Sequence, residues 1–442
     1  MRRSRAASWR RGALAGAALA LIGIAGQSVA TGQPAVAVAV AVKPTATLFF
    51  AHAPIAQDQA GMQDLTSATA TFTPAQKNAV VEVQRLDGKT WRPVLTGKQS
   101  SAGKYVFAAP AGPPYSYRVK STVAGKVIYS PTVRPALYPL KWSEEFNTFV
   151  LSPDWIVRPV GGAGTMRPCS STGLTQVSVN GESANLAVLR DGSRIPNKTA
   201  DCPNGQYLNA MVGTQYSHGF LYGIIAARVR MESERGMHGS IWMQHVGLDL
   251  TRKPTGGNDD GGPLPPLSSS SSTSARDGRS ASWPAVPADM TRPSAVAQNS
   301  CGPLTPATYG HPENDGAEID IIEYFGDTYR DGGTSMNNYW PAKDVGGNDV
   351  LNHCGAIQPS VPKILGAGRT PASGYHVFSV EWTPTQYIFR TDGFETFRTA
   401  YGISRQPEYV IMSLLTSDWE LPALRSGQPA LMNVDWVRVW QP

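Results

Sequence analysis

The sequence predicts an all-β protein built from two β-sandwich units. Charged residues make up only 16% of the 442 residues, well below the usual quarter, while the chain holds 44 Gly, 35 Pro and 11 Trp. Many short runs alternate apolar and polar residues with period two, which is typical of strands that bury one face. Turn-forming residues separate these runs, and no helical period of useful length is present. A coiled coil is therefore excluded, and because 41% of the residues are hydrophobic, wholesale disorder is not expected.

Residues 1–30 are predicted to be an export signal. They carry five arginines and no acid, followed by the apolar run GALAGAALALIGIAG and small residues at 28–30 that suit a signal peptidase. A membrane anchor needs about twenty apolar residues, and this run is shorter. We therefore expect cleavage and a secreted, extracellular protein, with a twin-arginine signal at Arg10-Arg11 as the alternative export route.

The net charge of +6 is not a sign of nucleic-acid binding. The five arginines of the export signal account for most of it, so the rest of the chain is nearly neutral. We expect no nucleic-acid partner, no membrane association once the signal is removed, and a monomer.

The four cysteines fit an exported protein. Four cysteines allow three pairings, and we expect Cys169 to pair with Cys202 and Cys301 with Cys354, because these are neighbours in sequence. Free buried thiols are the alternative. None of the four has CxxC spacing, so we expect neither a zinc site nor a redox site.

The remaining chain divides into a linker and two units. Residues 31–44 have low complexity and are predicted to be the linker. Residues 45–135 hold strand-like runs such as AVVEVQRL and YSYRVKST, which predict a small antiparallel sandwich. Residues 136–442 form a second all-β unit, interrupted at about 251–300 by a Ser- and Pro-rich stretch that is typical of a flexible surface insertion. The stretch VVEVQRLDGKTWRPV of the first unit resembles bacterial immunoglobulin-like or fibronectin-like modules, which implies a spacer, with carbohydrate binding as the alternative.

The segment EIDIIEYF places three carboxylates within six residues of an apolar strand. Glu318 and Asp320 share one face because the strand period is two, whereas Glu323 falls on the other face of a regular strand. A one-residue bulge between 320 and 323 would return Glu323 to the face of the other two. Three carboxylates so close together should raise the pKa of at least one of them. Carboxylates with separated pKa values are what acid-assisted glycoside cleavage needs, and an edge strand with ordinary surface acids is the alternative.

The pattern ExDxxE, followed by Tyr-Phe-Gly, resembles the catalytic strand of glycoside hydrolase family 16. The version with the extra residue resembles the laminarinase and agarase branches of that family. Other segments match in the family's order over about 140–442: WSEEFN at 142–147, FLYG at 220–223, RVR at 228–230, YHVF at 375–378 and NVDWVRVW at 433–440.

The resemblance implies a concanavalin-like jelly roll of two sheets and retaining hydrolysis of a β-linked polysaccharide, with β-1,3- or mixed-linkage glucan favoured over galactan. It implies that Glu318 is the nucleophile and Glu323 the acid/base, while Asp320 tunes or hydrogen-bonds the nucleophile. The family needs no cofactor. A structural calcium ion is common in it, but no local ligand cluster supports one here, so we assign no metal.

Candidate substrate contacts are aromatic and polar residues near these strands. Trp340 and Trp419 lie near loop signals, which favours stacking on sugar, whereas Trp242 is equally consistent with the sandwich core. His238 stands where glucan-cleaving relatives have a Trp, and Asn337 stands where family members often have a His. Such polar groups favour hydrogen bonds to hydroxyl or charged substituents, so the resemblance does not imply plain laminarin specificity.

Two other functions are compatible with the same scaffold. A non-catalytic glycan-binding protein would have lost the acids, and both Glu318 and Glu323 are present. A transglycosylase would have to shield its glycosyl-enzyme from water. If all three acids lie on one face of a groove, an enzyme is favoured over a binding protein.

Overall fold

The computed structural model describes most of residues 42–442. The described ranges are 42–55, 65–110, 115–161, 167–190, 202, 205–245, 316–326, 333–343, 349–357, 361–366, 368–416 and 430–442. The predicted export signal and the insertion at 251–300 lie outside them. Lys43–Pro442 form one compact unit, and no described helix is long and apolar enough to cross a membrane.

The first part of this unit is a small antiparallel sandwich of two sheets, with strand orders β1-β2-β5 and β4-β3-β6-β7. Its strands are β1 (Thr45–Ile55), β2 (Leu65–Thr73), β3 (Val80–Asp87), β4 (Thr90–Lys98), β5 (Lys104–Pro110), β6 (Tyr117–Val123) and β7 (Lys126–Tyr129). Alternation puts Val81 and Val83 into the core with Tyr117, Val119 and Phe107. The predicted sandwich is confirmed, and its likeness to immunoglobulin modules stays a prediction.

The second part is also almost entirely β-structure. Its elements are β8 (Leu140–Glu144), β9 (Ile156–Val157), β10 (Ser170–Thr172), β11 (Val177–Val179), β12 (Ala184–Arg190), β13 (Tyr207–Gly213), β14 (Gly223–Arg230), β15 (Met237–His245), β16 (Glu318–Phe325), β17 (Thr334–Lys343), β18 (Asp349–Ile357), the short helix α1 (Val361–Leu365), β19 (His376–Thr383), β20 (Gln386–Thr391), β21 (Phe394–Thr399), β22 (Glu408–Thr416) and β23 (Ala430–Trp440).

These strands form two layers that join along one edge. The front sheet has the order β18-β17-β16-β15-β22-β13, and the back sheet has the order β12-β23-β14-β19-β20-β21. Leu189 of β12 pairs with Leu208 of β13 and so connects the two layers. Trp340 and Met412 of the front sheet share one buried core with Val380 and Val437 of the back sheet. The all-β jelly roll expected from the sequence is confirmed.

The first sandwich packs against the outer surface of the back sheet. Ala53 of β1 and the connecting Tyr138 contact Trp436 and Trp440 of β23 in one apolar cluster. The His52 ring stacks on the Tyr138 ring with centroids 4.4 Å apart, and the Tyr138 N–H donates to the His52 carbonyl at 2.7 Å. The first sandwich thus lies on the side of the jelly roll away from the front sheet. The predicted division at residue 135 into separately folding units stays a prediction.

A carboxyl group is buried in the core behind the front sheet. Glu232 follows β14 and is 1% exposed. It lies against Gly239 of β15, where an added Cβ would stand 2.5 Å from Glu232 Oε2, so this close approach requires glycine. Burial raises the pKa of Glu232 to about 8, against a weaker opposing effect of backbone N–H groups. The carboxyl is therefore mostly protonated at neutral pH.

This raised pKa makes the stability of the protein fall as pH rises. The unfolded chain loses the Glu232 proton near its ordinary pKa of 4.5, whereas the folded chain keeps it to about 8. The free energy of unfolding should fall between these values by up to about 1.4 kcal/mol per pH unit. Glu232→Gln is expected to flatten this dependence in thermal unfolding measured from pH 5 to pH 8. Glu182→Gln, at an exposed turn, should follow the wild type, and parallel curves for wild type and Glu232→Gln would contradict the assignment.

Candidate active site

The three carboxylates of β16 lie on one face of the front sheet because the strand carries a bulge. In the pairing with β15, Glu318 lies opposite Gln244 and Asp320 lies opposite Trp242. The register then shifts by one residue at Ile321. Because of this shift, Glu323 lies opposite Ser240. The pairing of β16 with β17 shows the same shift between 320 and 323.

Residues 240, 242 and 244 alternate along β15 and so share a face, which places all three acids on that face. The bulge predicted from the sequence is confirmed. The face that carries Glu318, Asp320 and Glu323 is called the acid face below.

The bulge also shortens the separation between the first and last acids. Glu323 lies five positions after Glu318 in sequence, yet their partners on β15 are only four positions apart. Four strand steps correspond to roughly 13 Å between backbones, so two Glu side chains that lean toward each other can act on one bond. Glu318 and Asp320 are both largely buried.

Both oxygens of Glu323 are held by hydrogen-bond donors from neighbouring strands. His238 Nε2 of β15 lies 2.9 Å from Glu323 Oε1, and Asn337 Nδ2 of β17 donates to Oε2 at 2.6 Å. Burial by itself would raise the pKa of Glu323, but His238, Asn337 and the Arg167 charge together lower it below its usual value. Glu323 is therefore not the acid with a raised pKa that like-charge crowding predicted.

Tyr339 of β17 completes the acid face opposite Glu318. Burial and the charges of Glu323, Asp320 and Glu318 raise the pKa of the Tyr339 phenol well above its usual range, so the hydroxyl keeps its proton. The Tyr339 ring stacks on His353 of β18 with centroids 5.0 Å apart. Desolvation by the surrounding protein lowers the pKa of His353, partly offset by the charge of Glu323. Sequence reasoning missed Tyr339, because its place became visible only with the register of β17 on β16.

Trp242 lies at the centre of the acid face but is mostly covered. Its side chain is in the buried set at 6% exposure, and Nε1 donates to Ser413 Oγ of β22 at 3.1 Å. The guanidinium carbon of Arg158 lies 5.4 Å from the Trp242 ring centroid. Arg158 and Tyr409 both donate to Gln244 Oε1, at 3.1 and 2.8 Å. Polar contacts therefore surround Trp242, and little of its ring is open for stacking on sugar.

Trp340 does not take the expected position beside the substrate. It is 0% exposed and packs in the core between the sheets. Because side chains alternate along β17, Trp340 points away from the face that carries Asn337 and Tyr339. Trp419 lies outside the described residues.

One of the two expected disulfides is confirmed. Cys169 and Cys202 are joined, with their Cα atoms 5.4 Å apart. Cys354 is disulfide-bonded, and its expected partner Cys301 lies outside the described residues. Within the described ranges, no group of three or more His, Cys, Asp or Glu side chains is arranged to hold a metal ion.

A glycine in β18 makes room for the amide that holds Glu323. Gly355 pairs with Asn337 across the β17–β18 ladder and has φ +147°, where other residues are strained. An added Cβ would collide with Asn337 Oδ1 and with the Met336 carbonyl oxygen. Asn337 also donates to Ser335 Oγ at 2.6 Å, so its amide is fixed from two sides.

Comparison with known proteins gives one family match. The family model of Glycosyl hydrolases family 16 matches residues 269–438. A search of curated proteins finds no relative of the chain.

Solved structures that resemble the chain include three whose own chains are covered almost completely. The laminarinase catalytic domain of Thermotoga maritima MSB8 has 15% identity and a TM-score of 0.44, over 69% of this chain and 98% of its own. The laminarinase of Flavobacterium sp. UMI-01 has 16% identity and a TM-score of 0.41, over 69% and 100%. A Zobellia galactanivorans protein in complex with laminaritriose and laminaritetraose has 15% identity and a TM-score of 0.42, over 68% and 98%.

The family match agrees with the bulged strand that carries the three acids. Both the matched range and the acid face contain Glu318, Asp320 and Glu323. Residues 269–438, which include this strand, are therefore similar to glycosyl hydrolases family 16.

Proposed function

We propose that the chain is a secreted, retaining glycoside hydrolase that cleaves β-linked polysaccharide by double displacement. The observation that carries this proposal is the bulge at Ile321, which brings Glu318, Asp320 and Glu323 onto one face. Glycosidases use two carboxyl groups that flank the scissile bond, and in retaining enzymes these groups lie roughly 5 Å apart.

In the proposed reaction Glu318 attacks the anomeric carbon while Glu323 protonates the oxygen of the leaving sugar. This gives a glycosyl-enzyme ester on Glu318. Glu323, now a carboxylate, takes a proton from water as the water attacks the ester, which restores both groups and retains the anomeric configuration. Asp320 lies between the two and would hydrogen-bond or tune Glu318.

The polar groups of the acid face favour the binding of a hydroxyl-rich substrate. Ser240, Ser413 and Asn337 present hydroxyl and amide groups beside the acids, whereas Trp242 is mostly covered. The bulged motif resembles the laminarinase and agarase branches, which supports β-1,3- or mixed-linkage glucan as the first substrate class and β-galactan as the second. The Cys169–Cys202 disulfide supports an oxidising compartment and hence export.

The substrate class can be tested on soluble β-1,3-glucan, mixed-linkage β-glucan and β-galactan in parallel. Release of reducing ends identifies the polymer, and proton NMR of the first products should show the β-anomer. Products longer than the substrate would favour a transglycosylase. Binding without any cleavage of the panel, or a first product of inverted configuration, would overturn the proposal.

The roles of the two glutamates can be separated by the leaving group. Glu318→Gln should lower turnover by several orders of magnitude on every substrate, because the amide cannot attack. Glu323→Gln should lose polymer hydrolysis but still release dinitrophenolate from a 2,4-dinitrophenyl β-glycoside, because this leaving group needs no proton. Added azide should then restore its turnover, since azide attacks without a general base.

The matched control for these variants is Glu182→Gln at an exposed turn, which should behave as wild type. Wild-type-like polymer cleavage by Glu318→Gln would remove this residue from the chemistry. Equal loss on both substrate types in Glu323→Gln would show that it is not the acid.

Gly355→Ala tests whether the position of Asn337 matters for catalysis. The new Cβ would displace the amide that holds Glu323, and a misplaced catalytic group costs roughly a hundredfold, so we expect kcat/KM on polymer to fall at least tenfold. Gly366→Ala is the control, because Gly366 has φ +96° but no atom close to the added Cβ. It carries the same kind of backbone strain and should keep its activity. Similar activity in the two variants would contradict a role for Asn337.

A further inference from the structure

Two residues connect Glu323 to the segment beside the Cys169–Cys202 disulfide. Arg167 Nη2 lies 3.1 Å from His238 Nδ1, and Arg167 Nη1 donates to the Thr416 carbonyl oxygen at 2.5 Å. His238 Nε2 lies 2.9 Å from Glu323 Oε1. A guanidinium group, an imidazole ring and a carboxylate thus form one continuous chain of contacts.

The chemistry of arginine fixes the proton in this chain. A guanidinium group only donates, so His238 Nδ1 must accept from Arg167. The imidazole is then neutral, with its hydrogen on Nε2, and this N–H donates to Glu323. Ser240 Oγ lies 3.1 Å from the same nitrogen.

The ring of His238 is also held in place by packing. It is 6% exposed and stacks on Phe325 with centroids 4.5 Å apart and planes 12° from parallel. A ring so enclosed has no large face for a sugar. His238 therefore differs from the stacking Trp whose place it takes in the sequence pattern.

We propose that His238 and Arg167 are positioning residues: Arg167 fixes the imidazole, and the imidazole holds Glu323 in its orientation and in its carboxylate form while the site is empty. This inference rests on the proposed function, because it gives the pair a purpose only if Glu323 is the acid/base. Charged and titratable groups near Glu323 lie on every neighbouring element. Glu318 and Asp320 share its face of β16, and His238 and Arg167 lower its pKa. Its charge in turn acts on Tyr339 of β17 and His353 of β18.

The direction of the pH effect follows from this geometry. The N–H of His238 stabilises the Glu323 carboxylate and so lowers its pKa. Removing the donor raises that pKa, and the protonated form then persists to higher pH. Because the first step needs protonated Glu323, the alkaline limb of the kcat/KM profile should move to higher pH. The acid limb, which is set by ionisation of Glu318, should stay at the same pH.

The test compares pH profiles of kcat/KM on soluble β-glucan for wild type, His238→Phe, His238→Gln and Arg167→Met. His238→Phe should move the alkaline limb up by about one pH unit. His238→Gln should keep the limb near wild type, because the amide can still donate to Glu323. Arg167→Met should shift it in the same direction as His238→Phe, since it removes both the contact that fixes His238 and a nearby positive charge. Added to His238→Phe, it should shift the limb by less than Arg167→Met does alone, because part of its effect passes through His238.

A second substrate separates this effect from general damage. A 2,4-dinitrophenyl β-glycoside needs no proton for its leaving group, so the alkaline limb for this substrate should be the same in His238→Phe and wild type. A merely structural role would lower rates at all pH values on both substrates without moving a limb. That result, or an unmoved alkaline limb in folded His238→Phe and Arg167→Met, overturns the proposal.

The same assays distinguish failure of this proposal from failure of the proposed function. If wild type hydrolyses no glycoside, the proposed function fails. If wild type shows both limbs and the variants leave them unchanged, only the positioning role fails. Should His238→Phe not fold, as judged by thermal unfolding, Arg167→Met decides: a raised alkaline limb supports the proposal and an unmoved one rejects it.

Discussion

One extra residue in β16 determines which face of the front sheet carries Glu323. Ile321 has no partner of its own on β15, and the residues on either side of it return to regular pairing. In an unbulged strand the alternation would turn Glu323 toward the core that Ile319 and Tyr324 share. Burying a carboxylate among apolar side chains costs several kcal/mol or neutralises it. The bulge avoids this cost and at the same time assembles the chemistry of the acid face.

Residues on neighbouring strands hold the Glu323 carboxylate in position. His238 and Asn337 come from the strands on either side of β16 and each takes one oxygen. Behind them, Arg167 contacts His238, and Gly355 leaves space for Asn337. The first sandwich contacts the back sheet instead, so the described contacts of the Glu323 carboxylate come from the jelly roll.

The sequence was sufficient where chemistry follows local periodicity. Alternation in Val81–Val83 and in Glu318–Asp320 predicted the strands and their faces, and the position of Glu323 required a bulge. It was insufficient where contacts depend on register between distant strands. Arg167 reaches His238 across 71 positions, and no local pattern marks it.

The predicted position of Trp340 beside the substrate was wrong, although the strand alternation in the sequence indicates its true face. It lies three positions after Asn337, and residues an odd number of positions apart lie on opposite faces of a regular strand. The expected rise in a carboxyl pKa does not occur at Glu323, because donors on β15 and β17 hold its carboxylate.

The central claim is that Glu318, placed by the bulged strand, forms a covalent bond to the sugar. A 2,4-dinitrophenyl 2-deoxy-2-fluoro-β-glycoside of the preferred sugar slows hydrolysis of the glycosyl-enzyme, so the intermediate should accumulate. Mass spectrometry of the intact protein should show one added sugar, and peptide mapping should place it on Glu318. A label on another residue would contradict the account. So would a compound that inhibits the enzyme without labelling it, if the natural product also forms with inverted configuration.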